Sequence, residues 1–227
     1  MIGLIGSSGV VGNVLKKDMH VDFEFNSSNI HTISEYEFDL IICAAPNSNR
    51  LLANSRPEQD LDNIKQLISH LDNSDTAQIV LISTVDTQIK ETPYATNRKL
   101  LEDSISEMCD HRIIRLCSLV GQTIQKNVLY DLKTNNYIDN INLYDRCQWY
   151  PLINLSRDVQ LAIDNKHYTA NLVSEPILNY EIVERFAQPR MKLMKNEKHN
   201  DYDLRYINGN YLYNKNDIFV EMEKYFD

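Results

Sequence analysis

Gly6, Gly9 and Gly12 are the residues whose type and spacing point most directly to chemistry. They follow a short apolar run, Ile2-Gly-Leu-Ile5, and lead into an apolar helical pattern at Val10, Val11, Val14 and Leu15. A strand, a glycine turn and a helix in that order suit the binding of a phosphate. The first glycine permits a sharp turn, the second lets main-chain N–H groups approach a pyrophosphate, and the third lets helix pack closely on strand. The positive end of the helix dipole then faces the anion. On this reading Gly6, Ser7, Ser8, Gly9, Val10 and Val11 hold the phosphates of a dinucleotide; the plainer alternative is a glycine-rich turn with no ligand.

The remaining chemistry-bearing types narrow the field. His20, His31, His70, His111, His167 and His199 show no metal-ligand spacing with cysteines or carboxylates, so no metal is expected. Cys43, Cys109, Cys117 and Cys147 form no CxxC pair and read as thiols in a reducing compartment. A formal charge of −9 over 227 residues argues against nucleic acid as a main partner. No stretch approaches the roughly 20 apolar residues that span a bilayer. The chain opens directly on its first strand, which leaves no room for a targeting peptide, so a cytoplasmic protein is expected.

The elements that must position the glycine loop alternate along the chain. Strands are expected at 2–5, 21–25, 38–45, 78–83 and 112–117, the last three as continuous apolar runs of the kind a buried parallel sheet needs. Helices are expected at 10–18, 57–71 and 94–108, the second opening on Pro57. The fold class is therefore α/β, a doubly wound parallel sheet with a small C-terminal lobe. The sheet domain covers residues 1–122 and is completed near 147–175, with 123–146 and 176–227 forming the lobe. Beyond Gly121 the pattern predicts helices near 127–132, 156–164, 178–186 and 218–226, and strands at 138–144 and 170–173.

Taken in order, these fragments resemble the extended short-chain dehydrogenase/reductase family, and within it the nucleotide-sugar epimerases, dehydratases and 4-ketoreductases. The resemblance rests on the GxxGxxG loop, Cys43-Ala-Ala45, Pro57-Glu-Gln-Asp-Leu-Asp-Asn-Ile64, Ile82-Ser-Thr84, Tyr94-Ala-Thr-Asn-Arg98 and Arg115-Leu-Cys-Ser-Leu-Val-Gly121. It continues through Gln148–Asp158 and Asn171–Pro176. The family moves a hydride between a nicotinamide and a sugar carbon, so the resemblance implies Tyr94 as acid/base and Thr84 as the hydroxyl that orients the reacting oxygen. The family pattern YxxxK here reads Tyr94 to Arg98. Arg98 lies one turn on and shares the face of Tyr94, whereas Lys99 points about 100° away. Arg98 is thus expected to supply the cation and grip the ribose, although a planar fork is not equivalent to an ammonium.

The resemblance also implies that Asn26, Ser27, Ser28, Ala44, Ala45, Pro46, Asn63 and Ser83 bind the cofactor. The segment Asn26-Ser-Ser-Asn29 carries neither acid nor arginine, which leans towards NADP over NAD. The connection from Thr84 to Tyr94 is short for a nucleotide-sugar enzyme. Asp86 within it falls near the acid of the family's dehydratases, or is a solvated turn residue. On the substrate side, Lys126 and Asn127 either meet the sugar diphosphate or sit on the surface. Gln148 and Tyr150 are expected to line the sugar pocket, Trp149 either the pocket or the lobe core, and Arg190 and Lys192 to reach the diphosphate. Pairing of the helices at 57–71 and 94–108 across a homodimer is a further implication. Two functions follow: an NAD(P)-dependent reductase or epimerase of a nucleotide-linked sugar, with a dehydratase using Asp86 as its variant, or a family member that binds NAD(P) without catalysis as a sensor or partner protein.

Overall fold

A computed structural model describes residues 1–187, 199–207 and 209–227. The chain divides into two compact units, one formed by 1–115 with 154–170 and the other by 116–153 with 171–227.

In the first unit the glycine loop joins β1 (Ile2–Ile5) to α1 (Val10–Asp18). Then come β2 (Phe23–Phe25), β3 (Leu40–Cys43), α2 (Arg50–Ser55) and α3 (Pro57–Asp72). β4 (Gln78–Thr84) leads through a single turn, α4 (Asp86–Ile89), into α5 (Pro93–Met108) and β5 (Asp110–Leu116). β1 pairs in parallel with β2 on one side and β3 on the other, with Ile5 opposite Phe25 and Cys43. β3 pairs in parallel with β4. With β8 (Thr169–Leu172) at the far edge, the sheet order is β8-β5-β4-β3-β1-β2. The order reverses between β1 and β3, and ligands of open α/β sheets bind outside the carboxyl ends of strands at such a switch point.

The strands are apolar on both faces because helices cover both. Ile64, Leu67 and Leu71 of α3 and Leu101 and Ile105 of α5 pack with Ile41, Cys43, Ile79 and Leu81 of the sheet. α1 packs with α7 (Leu155–Asp164), where the Ser156 hydroxyl donates to Asp18 at 3.3 Å. The exposed faces of α3 and α5, the pair expected to meet across a dimer, are polar apart from Leu100 and the first-turn Pro93. No described helix is long and apolar enough to cross a membrane.

In the second unit β6 (Ser118–Val120) pairs in parallel with β7 (Trp149–Pro151). Around them pack α6 (Val128–Thr134), α8 (Asn179–Phe186) and α9 (Lys215–Phe226). The apolar faces of these helices close on Trp149, which is 1 % exposed, so of its two readings the core is the one realised. The strand expected at 138–144 is instead a 3₁₀ turn at Ile138–Asn140 followed by irregular chain. Asn142 causes this: its side-chain oxygen accepts from the Tyr144 amide at 3.2 Å, a local bond that competes with a strand ladder.

Candidate functional site

The glycine loop is shaped by two close backbone approaches. Gly6 has φ +82°, and a Cβ there would lie 2.8 Å from the Ala44 carbonyl. A Cβ on Gly12 would lie 2.2 Å from the Gly6 carbonyl oxygen. Gly9 differs: a Cβ would meet only Gly6 O, at 3.4 Å, so nothing in the protein requires glycine there. Gly9 is also the N-cap of α1, which has no side-chain cap and no acid in its first turn. The amides at this helix end remain available to an anion. Open space over the middle glycine and an uncapped helix are what a pyrophosphate needs, while the Gly6 and Gly9 amides donate to the Phe25 and Gly6 carbonyls at 2.8 and 3.0 Å. Ser7 is 3 % exposed, and its hydroxyl bonds the Glu24 carboxylate.

The turn after β2 is internally bonded. The Asn26 side-chain oxygen accepts from the Ser28 amide (2.9 Å) and hydroxyl (2.6 Å), and the Asn29 oxygen accepts from the Asn26 amide (2.8 Å). The backbone N–H of Asn26 and both side-chain oxygens are therefore engaged, and the Asn26 side-chain NH2 and the exposed Ser27 hydroxyl remain as donors. The nearest acid, Glu24, is paired with Lys16 at 3.0 Å. That ammonium holds its carboxyl below the usual range against the opposing effect of burial, with a lesser contribution from the Ser7 hydroxyl.

Tyr94 and Arg98 form the centre of the second half of the site. The Thr92 hydroxyl caps α5 by accepting from the Ala95 amide (3.3 Å), and Pro93 occupies the first turn. Asn54 accepts from the Tyr94 amide at 3.0 Å. The Arg98 guanidinium carbon lies 4.5 Å from the Tyr94 ring centre, and that of Arg50 lies 5.9 Å away. Arg98 is nearly buried and donates to both Asp60 oxygens (2.7 and 3.1 Å) and to the Asn47 carbonyl (2.8 Å). Three of its donors are thus engaged within the protein. Its charge faces the tyrosine as expected, but the grip on a ribose expected of it is left to the remaining N–H groups.

Thr84 ends β4 and is 7 % exposed; its hydroxyl oxygen accepts from the Asp86 amide at 3.3 Å. Asp86 is buried, not solvated, and its carboxylate pairs with Arg50 at 2.9 Å. Thr84, Asp86, Arg50, Tyr94, Arg98 and Asp60 therefore form one continuous set of contacts. Ala44 abuts Gly6, and the loop through Ala45 and Pro46 carries Asn47 to Arg98, so the phosphate loop and Tyr94 are tied together.

Other expected residues stand elsewhere. The Ser83 hydroxyl donates to Glu102 at 2.6 Å and so faces a buried carboxylate. Asn63 is exposed on α3; Asp60, one turn earlier, is what that helix offers to the site. Lys99 is exposed and pairs with Asp103. In the second unit, Asn127 caps α6 by accepting from the Leu129 and Tyr130 amides while donating to Leu119 O at 2.8 Å. Gln148 is 1 % exposed, donates to the Ser174 and Leu204 carbonyls and accepts from the Leu204 amide. Its amide is a staple rather than part of a pocket wall. Tyr150 is fully buried with its ring 5.9 Å from that of Tyr213, and Lys126 is exposed. Arg190 and Lys192 lie outside the described residues. Arg50, Asp60, Glu102 and Arg115 carry no expected role. A helix with polar residues every fourth position at 94, 98 and 102, and an arginine inside the apolar strand 112–117, are the signals that mark two of them.

No family model matches the chain, and no curated protein matches it in sequence. Solved structures do. UDP-N-acetylglucosamine 4-epimerase from Bacillus cereus is 14 % identical, with a TM-score of 0.68 over 99 % of this chain and 97 % of that one. UDP-glucose 4-epimerase from Thermotoga maritima is 10 % identical, with a TM-score of 0.69 over 91 % and 90 %. A hypothetical dTDP-4-dehydrorhamnose reductase from Sulfolobus tokodaii is 18 % identical, with a TM-score of 0.65 over 99 % and 94 %. The chain shares the fold of these epimerases and this reductase. Within that fold, the glycine loop at the switch point and the Thr84–Tyr94–Arg98 region occupy one unit. Sequence identity this low conveys fold and not reaction, so the chemistry must be argued from the site.

Proposed function

We propose that this chain is an NAD(P)-dependent oxidoreductase or epimerase acting on a nucleotide-linked sugar. The observation that carries the proposal is the joining of a phosphate-binding glycine loop to a tyrosine beside two guanidiniums. The loop from Gly6 to Val11 would hold the coenzyme's pyrophosphate, and the coenzyme supplies or accepts the hydride. The Tyr94 hydroxyl gives or takes the proton of the sugar oxygen at the same carbon. The Arg98 guanidinium, 4.5 Å from the Tyr94 ring centre, places a cation beside the residue that exchanges the proton. The Thr84 hydroxyl, fixed at the end of β4, orients the sugar oxygen. The turn at Asn26–Asn29 offers donors and no carboxylate, which supports a 2′-phosphate and hence NADP. Two similar solved structures, Bordetella bronchiseptica WbmH and the UDP-glucuronic acid 4-epimerase of Bacillus cereus, are complexes with NAD, which makes the preference a matter for direct titration.

The dehydratase variant is less well supported, because the Asp86 carboxylate is already paired with Arg50. A second reading, coenzyme binding without catalysis, draws on Arg98: with Asp60 and Asn47 holding it, the cation is partly neutralised where the family pattern has a lysine. Turnover separates the two. Purified protein is mixed with reduced nicotinamide and a panel of nucleotide-linked 4-keto sugars, and loss of the reduced form is followed by absorbance. The proposal expects turnover with at least one sugar, and a fall of roughly a hundredfold or more in Tyr94→Phe with coenzyme affinity retained. Equal turnover in Tyr94→Phe would exclude the tyrosine from the chemistry.

A further inference from the structure

Glu102 is 1 % exposed in the middle of α5, two turns beyond Tyr94 and one beyond Arg98. Its Oε1 accepts from the Ser83 hydroxyl at 2.6 Å and from Arg115 Nε at 2.9 Å, and its Oε2 accepts from Arg115 Nη2 at 2.6 Å. The Thr87 hydroxyl lies 3.0 Å from Oε1 and 3.0 Å from the Thr84 carbonyl oxygen, sharing its proton between them. These donors come from the end of β4, from α4 and from β5. Two of them, Ser83 and Thr87, flank Thr84 in the chain.

A buried ion pair returns little stability over an apolar pair of similar volume, because desolvation offsets the attraction. Here the carboxylate is saturated by donors on three separate elements, so what it secures is their relative placement. We infer that Glu102 is a positioning residue, which locks the strand end carrying Thr84 to the helix carrying Tyr94 and so sets the spacing of the two hydroxyls on the sugar oxygen. The inference rests on the proposed reaction for its catalytic meaning. Arg115 and Ser83 act through Glu102 and touch no reactant. A displacement on the order of 1 Å between two such groups costs roughly a hundredfold in rate.

Two variants test this in the full-length protein. Glu102→Gln removes the charge and turns one acceptor into a donor facing Arg115. Glu102→Leu/Arg115→Met removes the pair together and leaves an apolar contact of similar size, which keeps the fold should the single variant fail to form it. Both are expected to lose roughly a hundredfold in kcat with KM for the dinucleotide unchanged, and to show faster amide hydrogen exchange across residues 83–88. A folded double variant with wild-type kcat and wild-type exchange at 83–88 would overturn the assignment and leave a structural charge pair. If the wild-type chain turns over no sugar, the proposed function fails on its own. Exchange at 83–88 then decides the locking role alone, with unchanged protection in the double variant counting against it.

Discussion

Two alanine substitutions in the glycine loop should have opposite signatures. In Gly12→Ala the new methyl would lie 2.2 Å from the Gly6 carbonyl oxygen and 2.9 Å from Ser7 Cα, both backbone atoms without freedom to rotate away. Ordinary contact begins at 3.4 Å, so α1 must withdraw from the loop by 3.4 − 2.2 = 1.2 Å. Forcing extra volume into such a contact costs about 1–3 kcal/mol. In Gly9→Ala the methyl stands at 3.4 Å from Gly6 O, with φ −77° compatible with any residue. The cost to folding is then only that of a poorer N-cap, about 1 kcal/mol or less. The methyl does fill the space left for a pyrophosphate. Losing one charge-assisted hydrogen bond there costs about 1.5–3 kcal/mol, roughly ten- to a hundredfold in Kd. Urea denaturation and reduced-coenzyme fluorescence titration of the two variants are the assays. Gly9→Ala should keep its stability and lose binding, while Gly12→Ala should lose both. A Gly9→Ala protein that binds coenzyme like wild type would refute the reasoning.

Two other outcomes can be checked in solution. Asp60→Asn leaves the Arg98 guanidinium, 5 % exposed, without its carboxylate, and should destabilise the fold by about 3–5 kcal/mol in urea denaturation. Asp60→Leu/Arg98→Met should recover much of that loss, and a cost below about 1 kcal/mol in the single variant would mean the pair is not desolvated. Burial pushes the Cys43 thiol up from 9.0 to about 12. The folded chain therefore keeps a proton that the unfolded chain releases. Stability from this thiol is complete below pH 9 and is lost as pH rises from 9 towards 12, by up to about 1.4 kcal/mol per pH unit. Cys43→Ala should show a shallower decline over that range, and parallel curves for the two proteins would remove the thiol as the cause.

The sheet could be read from the chain because its signals are local. Glycines three apart after an apolar strand, and the apolar runs at 38–45, 78–83 and 112–117, each carry their own period or punctuation. Tyr94 and Thr84 were legible for a different reason, their place at element ends in a known order of fragments. Their partners were not. Asp60 reaches Arg98 across 38 positions, and Arg50 reaches Asp86 across a strand and a helix. Ion pairs between such elements exist only once the helices are packed. Residues 138–144 failed as a strand because a side-chain bond at Asn142 outweighed a weak alternation. Gln148 and Asn127 look like ligand-binding amides in one dimension; in three, each is saturated by backbone groups of its own unit.

Isothermal titration calorimetry of the wild-type chain with NADPH, and separately with NADH, bears most directly on the central claim that the loop from Gly6 to Gly12 seats a dinucleotide. One coenzyme per chain, with a Kd raised roughly ten- to a hundredfold in Gly9→Ala, is the expected result. No heat with either coenzyme at millimolar concentration would contradict it.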